Sequence, residues 1–292
     1  MTNEQIIKEV TSQALNVSLD EVVVKERLMG GMSNYTYVIS VNDEIYTFRI
    51  PGKNAEKFVD RDVEKHNILL VEQLGLNNET VFLDVESGYK IAKYIEGQPL
   101  SELNPLDFLK EASEVLHKIH ESGLSSDYDY DPLGRLKLYE DHTLEYGHVH
   151  SERYIELKNR FLALKDDFMN KERLTLTHGD SQISNFVKTP YSDLRLMDWE
   201  FTGNNDPFYD IACFGNNDFN HALELLPVYL KRTPTVKEYN RLYFFRSFQC
   251  LQWHNVALYK DFIGLSVDLG VDFMFVANLY LDKAEGFLNS IK

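Results

Sequence analysis

The sequence has few cysteines and comparatively few basic residues. Only two cysteines, Cys213 and Cys250, occur among 292 residues, so they cannot by themselves form a disulfide framework or a metal-ligand cluster. Lys and Arg number 30 against 46 Asp and Glu, which gives a formal net charge of −16. A surface with this charge repels the phosphates of nucleic acids and of anionic lipids, so nucleic acid is not an expected partner.

Long apolar runs are also missing. No stretch approaches the roughly 20 residues that a membrane-spanning helix needs. Residues 1–18 alternate charged with apolar residues and contain no apolar signal-peptide segment. We therefore expect a cytoplasmic protein without membrane insertion, and the oligomeric state is left open. Because 43% of the residues are hydrophobic and 13% are aromatic, the chain can form a folded core, which excludes a disordered protein.

The first third of the chain predicts a small sheet with one helix. β-Branched and aromatic runs separated by turn residues indicate strands over residues 22–27, 36–41, 44–50, 79–84 and 88–95. The turn residues Asn42 and Asp43 predict a hairpin between the second and third strands. Apolar residues at helical spacing predict a helix from Val59 to Leu74, with Gly75 as its cap.

After Gly97 the pattern becomes mostly helical. Asn104 and Pro105 open a predicted helix, another is expected over residues 239–260, and only residues 177–207 are rich in loops. The sequence therefore predicts an α+β fold with two lobes. A small antiparallel-sheet lobe comprises residues 1–96 and a larger, mainly helical lobe comprises residues 97–292.

The strongest chemical signal lies in the loop-rich region. Residues 178–185 read His-Gly-Asp-Ser-Gln-Ile-Ser-Asn, and Asp198-Trp199-Glu200 follows a short predicted strand. A phosphoryl transferase needs a carboxylate that orients the acceptor hydroxyl and takes its proton, a role that suits Asp180. It also needs hard oxygen ligands for magnesium, which Asn185 and Asp198 can supply. Taken alone, the first motif is about equally consistent with a polar, capped turn.

A second signal lies far upstream. Glycines at residues 30–31 allow the backbone to approach phosphate oxygens, and the Gly31 amide with the Ser33 and Asn34 side chains can donate hydrogen bonds to them. The third predicted strand, over residues 44–50, places the cation Arg49 on a face with apolar neighbours. Glu64 on the following helix is equally consistent with an acid that positions Arg49 and with surface charge. A glycine-rich turn alone is weak evidence for phosphate binding. The order of the turn, the cation, the acid and the Asp180 motif along the chain makes this interpretation more specific.

In these motifs the sequence resembles the protein-kinase-like small-molecule kinases, and within them the choline kinase branch. The resemblance rests on residues 30–34, 48–52, 197–201 and 205–212, with a weaker likeness near Trp253. It implies a two-lobed kinase fold, with ATP and Mg²⁺ as cofactors.

Individual roles follow from this resemblance. It implies that Asp180 is the catalytic base, that Asn185 and Asp198 bind magnesium, and that Arg49 binds nucleotide phosphates where many relatives have Lys. Backbone groups of the segment that connects the lobes are expected to hold the adenine, namely those of Lys93, Tyr94 and Ile95.

The implied acceptor is a small cationic alcohol, with choline first. Six acids against two cations between residues 180 and 210 favour a cation there. A quaternary ammonium needs carboxylates and aromatic faces, for which Asp180, Glu200, Phe201 and Trp253 are the candidates. The family often has a second Trp where this chain has Val256. Ethanolamine, an aminoglycoside or another hydroxylated cation therefore stays open, as does a catalytically silent binding or sensing module.

Overall fold

The computed structural model describes residues 1–28, 34–169, 174–191 and 193–292. The chain forms two compact units. Unit 1 consists of Met1–Pro99 with Val187–Glu200, and unit 2 consists of Leu100–Phe186 with Phe201–Lys292.

A five-stranded antiparallel sheet forms the centre of unit 1. Its strands are β1 (Val22–Leu28), β2 (Asn34–Val41), β3 (Glu44–Pro51), β4 (Thr80–Leu83) and β5 (Lys90–Lys93). Their order in the sheet is β1-β2-β3-β5-β4. The predicted hairpin joins β2 to β3, where Val41 pairs with Glu44 and Asn42 has a φ of 54°. Asn tolerates this left-handed conformation better than most residues, which explains its place in the turn.

One face of the sheet is buried under the first helix, α1 (Asn3–Leu15). The apolar cluster on this face contains Ile7 of α1 with Tyr46, Phe48 and Ile50 of β3. Because successive side chains of a strand point to opposite faces, Arg49 projects to the other side of the sheet, as its position in the sequence predicts.

The helix α2 (Arg61–Val71) follows β3. Asp60 caps its start by accepting hydrogen bonds from the backbone N–H groups of Asp62 and Val63. A single 3₁₀ turn then leads to Gly75, whose φ of 58° ends the helix as predicted.

A short sheet explains why Val187–Glu200 belongs to unit 1. Strand β6 (Gln98–Pro99) pairs with β8 (Phe186–Lys188), and β8 in turn pairs with β9 (Leu194–Leu196). Gly97 lies close against Lys188, since a Cβ built there would be 2.5 Å from the Lys188 carbonyl oxygen. The predicted lobes, residues 1–96 and 97–292, did not include a later segment that returns to the first unit. These predicted limits stay a prediction.

Unit 2 is mainly helical. Its helices are α3 (Leu109–His120), α4 (Pro132–Leu144), α5 (Glu152–Ala163), α6 (Lys165–Phe168), α7 (Pro207–Phe214), α8 (Phe219–Leu230), α9 (Val236–Phe262), α10 (Leu265–Leu269) and α11 (Phe273–Ser290). Most side chains of α9 are buried, so this helix is the centre of the unit. Among the described residues, no helix is both long enough and apolar enough to cross a membrane.

Two short strands of unit 2 hold the loop that carries the chemical motif. Strand β7 (Thr175–Thr177) pairs antiparallel with β10 (Gly203–Asn205). The motif residues 178–185 run from the end of β7 to the start of β8. The pairing fixes the first residues of this loop beside α7, which begins directly after β10.

Candidate active site

A buried group of charges in unit 1 surrounds Arg49. Arg49 donates two hydrogen bonds to the carboxylate of Glu64, at 2.6 and 2.9 Å, and both side chains are buried. Arg49 also stands directly across the sheet from Lys90, whose Nζ lies 3.8 Å from Glu64. Two cations opposite each other repel. Glu64 offsets this repulsion, so it is not a surface charge.

Glu200 completes this group, which we call the charge cluster. Its carboxylate lies 2.9 Å from a guanidinium nitrogen of Arg61 and 3.6 Å from one of Arg49, and it accepts hydrogen bonds from Asn34. Arg61 also reaches Glu64 at 2.6 Å. The charge cluster thus consists of three cations and two acids: Arg49, Arg61, Lys90, Glu64 and Glu200.

These contacts change the pKa values of the cluster. Although burial opposes its charge, Glu64 raises the pKa of Arg49 above the ordinary value. Burial likewise opposes ionisation of Glu64, but Arg49 lowers the pKa of that carboxyl to about 2. Desolvation lowers the pKa of Lys90. The Arg49–Glu64 pair is therefore ionised at all physiological pH values.

The pKa of Asp198 shifts in the opposite direction to that of Glu64. Desolvation, followed by the charge of Glu200, raises the pKa of its carboxyl to about 7. Among the described residues, no cation lies within ion-pair distance of Asp198. Asp198 also has a φ of 65°, a conformation that costs free energy in a residue other than glycine. A half-buried acid held in this way is suited to bind a cation.

Other predicted nucleotide contacts are placed less directly. Gly31 and Ser33 lie outside the described residues. In the connecting segment, Lys93 and Tyr94 already donate their backbone N–H groups to the carbonyls of Glu79 and Ile45, at 2.8 and 3.0 Å. The N–H of Ile95 donates to no carbonyl within the described part of the chain.

In unit 2, the motif loop depends on Gly179. Its φ is 81°, and a Cβ built there would lie 2.2 Å from the carbonyl oxygen of Phe201. Only glycine fits this position, because the backbone conformation and the neighbouring chain both exclude a side chain.

The carboxylate of Asp180 is held by several donors of unit 2. Asn185 and Gln182 each donate a side-chain hydrogen bond of 3.0 Å to its Oδ2. The thiol of Cys213 lies 3.7 Å from Oδ1. Asn185 uses its amide nitrogen for both of its bonds to Asp180, so neither bond engages its amide oxygen.

Asp210 anchors the backbone of the motif loop. Its side chain accepts hydrogen bonds from the backbone N–H groups of His178 and Gly179, at 2.8 and 2.9 Å, and His120 lies 3.0 Å away. Although burial opposes ionisation, the hydrogen bond with His120 keeps the pKa of Asp210 below its usual value. This arrangement fixes the backbone that presents Asp180.

The predicted acceptor residues are distributed over both units, with Glu200 in unit 1 and Asp180, Phe201 and Trp253 in unit 2. Glu200 lies in unit 1 and is engaged in the charge cluster. Phe201 is half-buried, and the guanidinium of Arg135 lies 5.5 Å from the centre of its ring. Trp253 is half-buried on α9.

Sequence reasoning missed several residues of these two arrangements. Arg61 and Lys90 received no role from the sequence, although the position of Lys90 across from Arg49 follows once the strands are paired. Asp210 and Gln182 lie inside quoted motifs but received no role. Their contacts with Asp180 and its loop indicate a role, and these contacts become visible only in the folded structure.

A five-stranded antiparallel sheet in one unit and a mainly helical second unit are the architecture of the protein-kinase-like class. Comparisons with known proteins agree. The family profile for choline/ethanolamine kinase matches residues 25–248. The chain therefore belongs to the choline/ethanolamine kinase family.

Individual relatives are distant. Protein LicA of Haemophilus influenzae is 27% identical over 195 residues, a match that covers 63% of this chain and 55% of LicA. The chain thus spans little more than half of that relative. The crystal structure of the choline kinase LicA from Streptococcus pneumoniae superposes with a TM-score of 0.79 at 24% identity, covering 98% of this chain and 99% of that one. LicA in complex with AMP gives 0.78 at 24% identity, covering both chains fully.

These findings confirm the predicted family resemblance and the α+β, protein-kinase-like fold. Membership of the choline/ethanolamine kinase family also confirms the predicted enzyme class, a phosphotransferase with an alcohol group as acceptor.

Replacing Gly179 by Ala tests the motif loop. We expect Gly179→Ala to destabilise the protein by about 2 kcal/mol or more and to abolish turnover, since strain and a backbone clash combine. Gly123→Ala is the matched control, because Gly123 has a φ of 73° with no atom near its Cβ position. The control should cost about 1 kcal/mol. If urea unfolding gave the two variants equal losses in the free energy of unfolding, the proposed clash at Gly179 would be wrong.

Replacing Glu64 tests the charge cluster. Glu64→Gln should destabilise unit 1 by about 3 kcal/mol, because Arg49 and Lys90 then face each other without an acid between them. Adding Lys90→Met should recover part of this loss. Thermal unfolding of both variants measures the effect, and a double variant no more stable than Glu64→Gln would refute the cross-strand repulsion.

Proposed function

We propose that this protein transfers the γ-phosphoryl group of ATP to the hydroxyl of a small cationic amino alcohol, with choline as the first candidate. The observation that carries the proposal is the Asp180 carboxylate, which Asn185 and Gln182 hold in one orientation at the end of a constrained loop. Membership of the choline/ethanolamine kinase family supports the acceptor class.

The charge cluster supports ATP as the donor. Within the described residues, Nε of Arg49 and Nη2 of Arg61 are buried and donate to no acceptor. Buried donors without partners are costly, so an anionic ligand that accepts from them would be stabilised. We propose that phosphate oxygens of ATP are these acceptors, that Asn34 takes part with Gly31 and Ser33, and that the free N–H of Ile95 donates to the adenine.

The residues present also fit magnesium. Asp198 offers a carboxylate whose ionisation is disfavoured until a cation arrives, and Asn185 offers an amide oxygen; both are hard ligands of the kind Mg²⁺ prefers. When bound, the ion would neutralise charge on the transferred phosphoryl group. The two ligands lie in different units, and their joint role is a proposal.

In the proposed mechanism, the chain acts mainly by positioning. Asp180 orients the acceptor hydroxyl and takes its proton, while Gln182 and Asn185 prevent the carboxylate from turning. Asp210 holds the loop backbone during this step. Arg49, fixed by Glu64, holds the phosphates of the donor.

Ethanolamine is the second candidate, because one observation favours a smaller cation. The Arg135 guanidinium already lies over the ring of Phe201, and it also lies 4.4 Å from the ring centre of Tyr130. A quaternary ammonium would compete with this guanidinium for the face of Phe201. Trp253 and Glu200 remain proposed acceptor contacts. A primary amine depends less on aromatic faces and more on carboxylates such as Asp180.

An acceptor panel tests the proposed function. ADP release should be measured with magnesium and ATP against choline, ethanolamine and an aminoglycoside, and we expect choline to give the highest kcat/KM. Asp180→Asn should lower kcat by about 10³-fold with little change in nucleotide affinity, since only the proton acceptor is lost. A wild-type chain that turns over none of these acceptors would point to the binding or sensing module.

Replacing Asp198 tests the proposed metal ligand by stability. Because the pKa of Asp198 rises from 3.8 to about 7 on folding, its ionisation destabilises the folded state as pH rises through this range. Asp198→Asn should therefore raise Tm by roughly 2 °C at pH 8, leave it unchanged below pH 4, and remove the increase in Tm that MgADP gives the wild type.

Asp193→Asn is the control on the same segment. The Thr189 hydrogen bond lowers the pKa of Asp193, so its replacement should reduce stability above pH 4. If Asp198→Asn also lowered Tm at pH 8, or if it kept the response to MgADP, its proposed role would be wrong.

A further inference from the structure

The side chain of Arg246 is one of the largest that unit 2 buries completely. It lies on α9 with 1% of its surface exposed. Among the described residues, no carboxylate lies within ion-pair distance of its guanidinium, and its Nε is buried without a hydrogen-bond partner. A buried cation costs several kcal/mol unless its charge is compensated. Some other interaction of Arg246 must therefore offset the cost of burying its charge.

The hydrogen bonds of Arg246 lead towards Asp180. Its Nη2 donates to the side-chain oxygen of Asn216 at 2.8 Å. The side-chain nitrogen of Asn216 donates to the Gln182 oxygen at 3.0 Å. The Gln182 nitrogen donates to Oδ2 of Asp180, also at 3.0 Å. The three bonds run in one direction, from a cation through two amides to a carboxylate.

We propose that Arg246, Asn216 and Gln182 form a hydrogen-bond relay that positions the Asp180 carboxylate for phosphoryl transfer. Gln182 and Asn216 are neutral, so neither can hold a carboxylate as firmly as a charged donor. The cation at the far end polarises both amides, and hydrogen bonds in such a chain strengthen one another. Arg246 is thus a positioning residue that acts through two others, and its role rests on the proposed function.

The relay also explains why the charge of Arg246 is not paired directly with the carboxylate of Asp180. A guanidinium in contact with Asp180 would occupy the carboxylate that the acceptor hydroxyl must reach. At the end of two amides, the same charge orients the carboxylate and leaves contact with the acceptor possible. Arg246 also donates to Gln249 at 2.8 Å, and Gln249 donates to the carbonyl of Tyr209 at 2.9 Å, next to the loop anchor Asp210.

A purely structural role for Arg246 is the competing explanation, because its bonds to Asn216 also tie the end of α7 to α9. Asn216→Asp separates the two. The new carboxylate still accepts from Arg246, and this pair becomes ionic, so the tie between the helices is kept. It cannot donate to Gln182, however, so the relay is broken at its middle.

The experiment measures kcat, KM and Tm for Asn216→Asp beside the exposed control Asn220→Asp, which adds the same charge four residues later. We expect Asn216→Asp to keep the wild-type Tm or exceed it and to lower kcat about tenfold, with KM for ATP and for the acceptor within about twofold. The control should keep wild-type kinetics. Unchanged kcat in Asn216→Asp would overturn the relay.

A double-mutant cycle adds an independent readout. Gln182→Met and Arg246→Met should each lower kcat, and the double variant should lose no more than the larger single loss, because both break one chain. Arg246→Lys should recover part of the activity, since it restores the charge with a single donor. Additive losses in kcat would overturn the proposal.

Hydrogen exchange of the peptide spanning residues 178–185 decides the relay even without turnover. Faster exchange in Asn216→Asp than in Asn220→Asp would support the relay, and equal exchange would refute it. Absence of wild-type turnover with every acceptor would instead refute the proposed function. The two failures are therefore distinguishable.

Discussion

The buried contact between Glu64 and two cations is the constraint on which unit 1 depends. Strand pairing brings Arg49 and Lys90 side by side, and the sheet could not hold them together without an acid between them. Helix α2 supplies that acid. Its placement fixes the guanidinium of Arg49 and also brings Arg61 to the same carboxylate. One carboxylate of α2 thus compensates the charges of three cations.

Unit 2 solves a different problem, which is to present one carboxylate in one orientation. The loop that carries Asp180 has almost no regular structure, so its backbone bonds must be made elsewhere. Asp210 accepts two of them, and Gly179 allows the chain to pass Phe201 closely. The side chain of Asp180 then accepts hydrogen bonds from the amides of Gln182 and Asn185. Rigidity is supplied by the network around the loop and not by the loop itself.

Much of the fold could be predicted, because the patterns are local. Alternation in β3 assigned Arg49 and Phe48 to opposite faces, and Gly75 marked the end of the 3₁₀ turn that follows α2. Ion pairs between residues far apart in the sequence could not be predicted. Glu200 accepts a hydrogen bond from Arg61, which lies 139 residues upstream. No local pattern reveals such a partner.

The sequence by itself determined the elements, the family and the types of residue available for phosphoryl transfer, since these depend on spacing and on order along the chain. Tertiary structure decided which charges meet. It brought Val187–Glu200 to unit 1 through strand β8 and so placed Glu200 beside Arg61 and Arg49. It also linked Arg246 to Asp180 across 66 residues. Electrostatic interactions depend on distance in space and on burial, and neither quantity is written in the order of the residues.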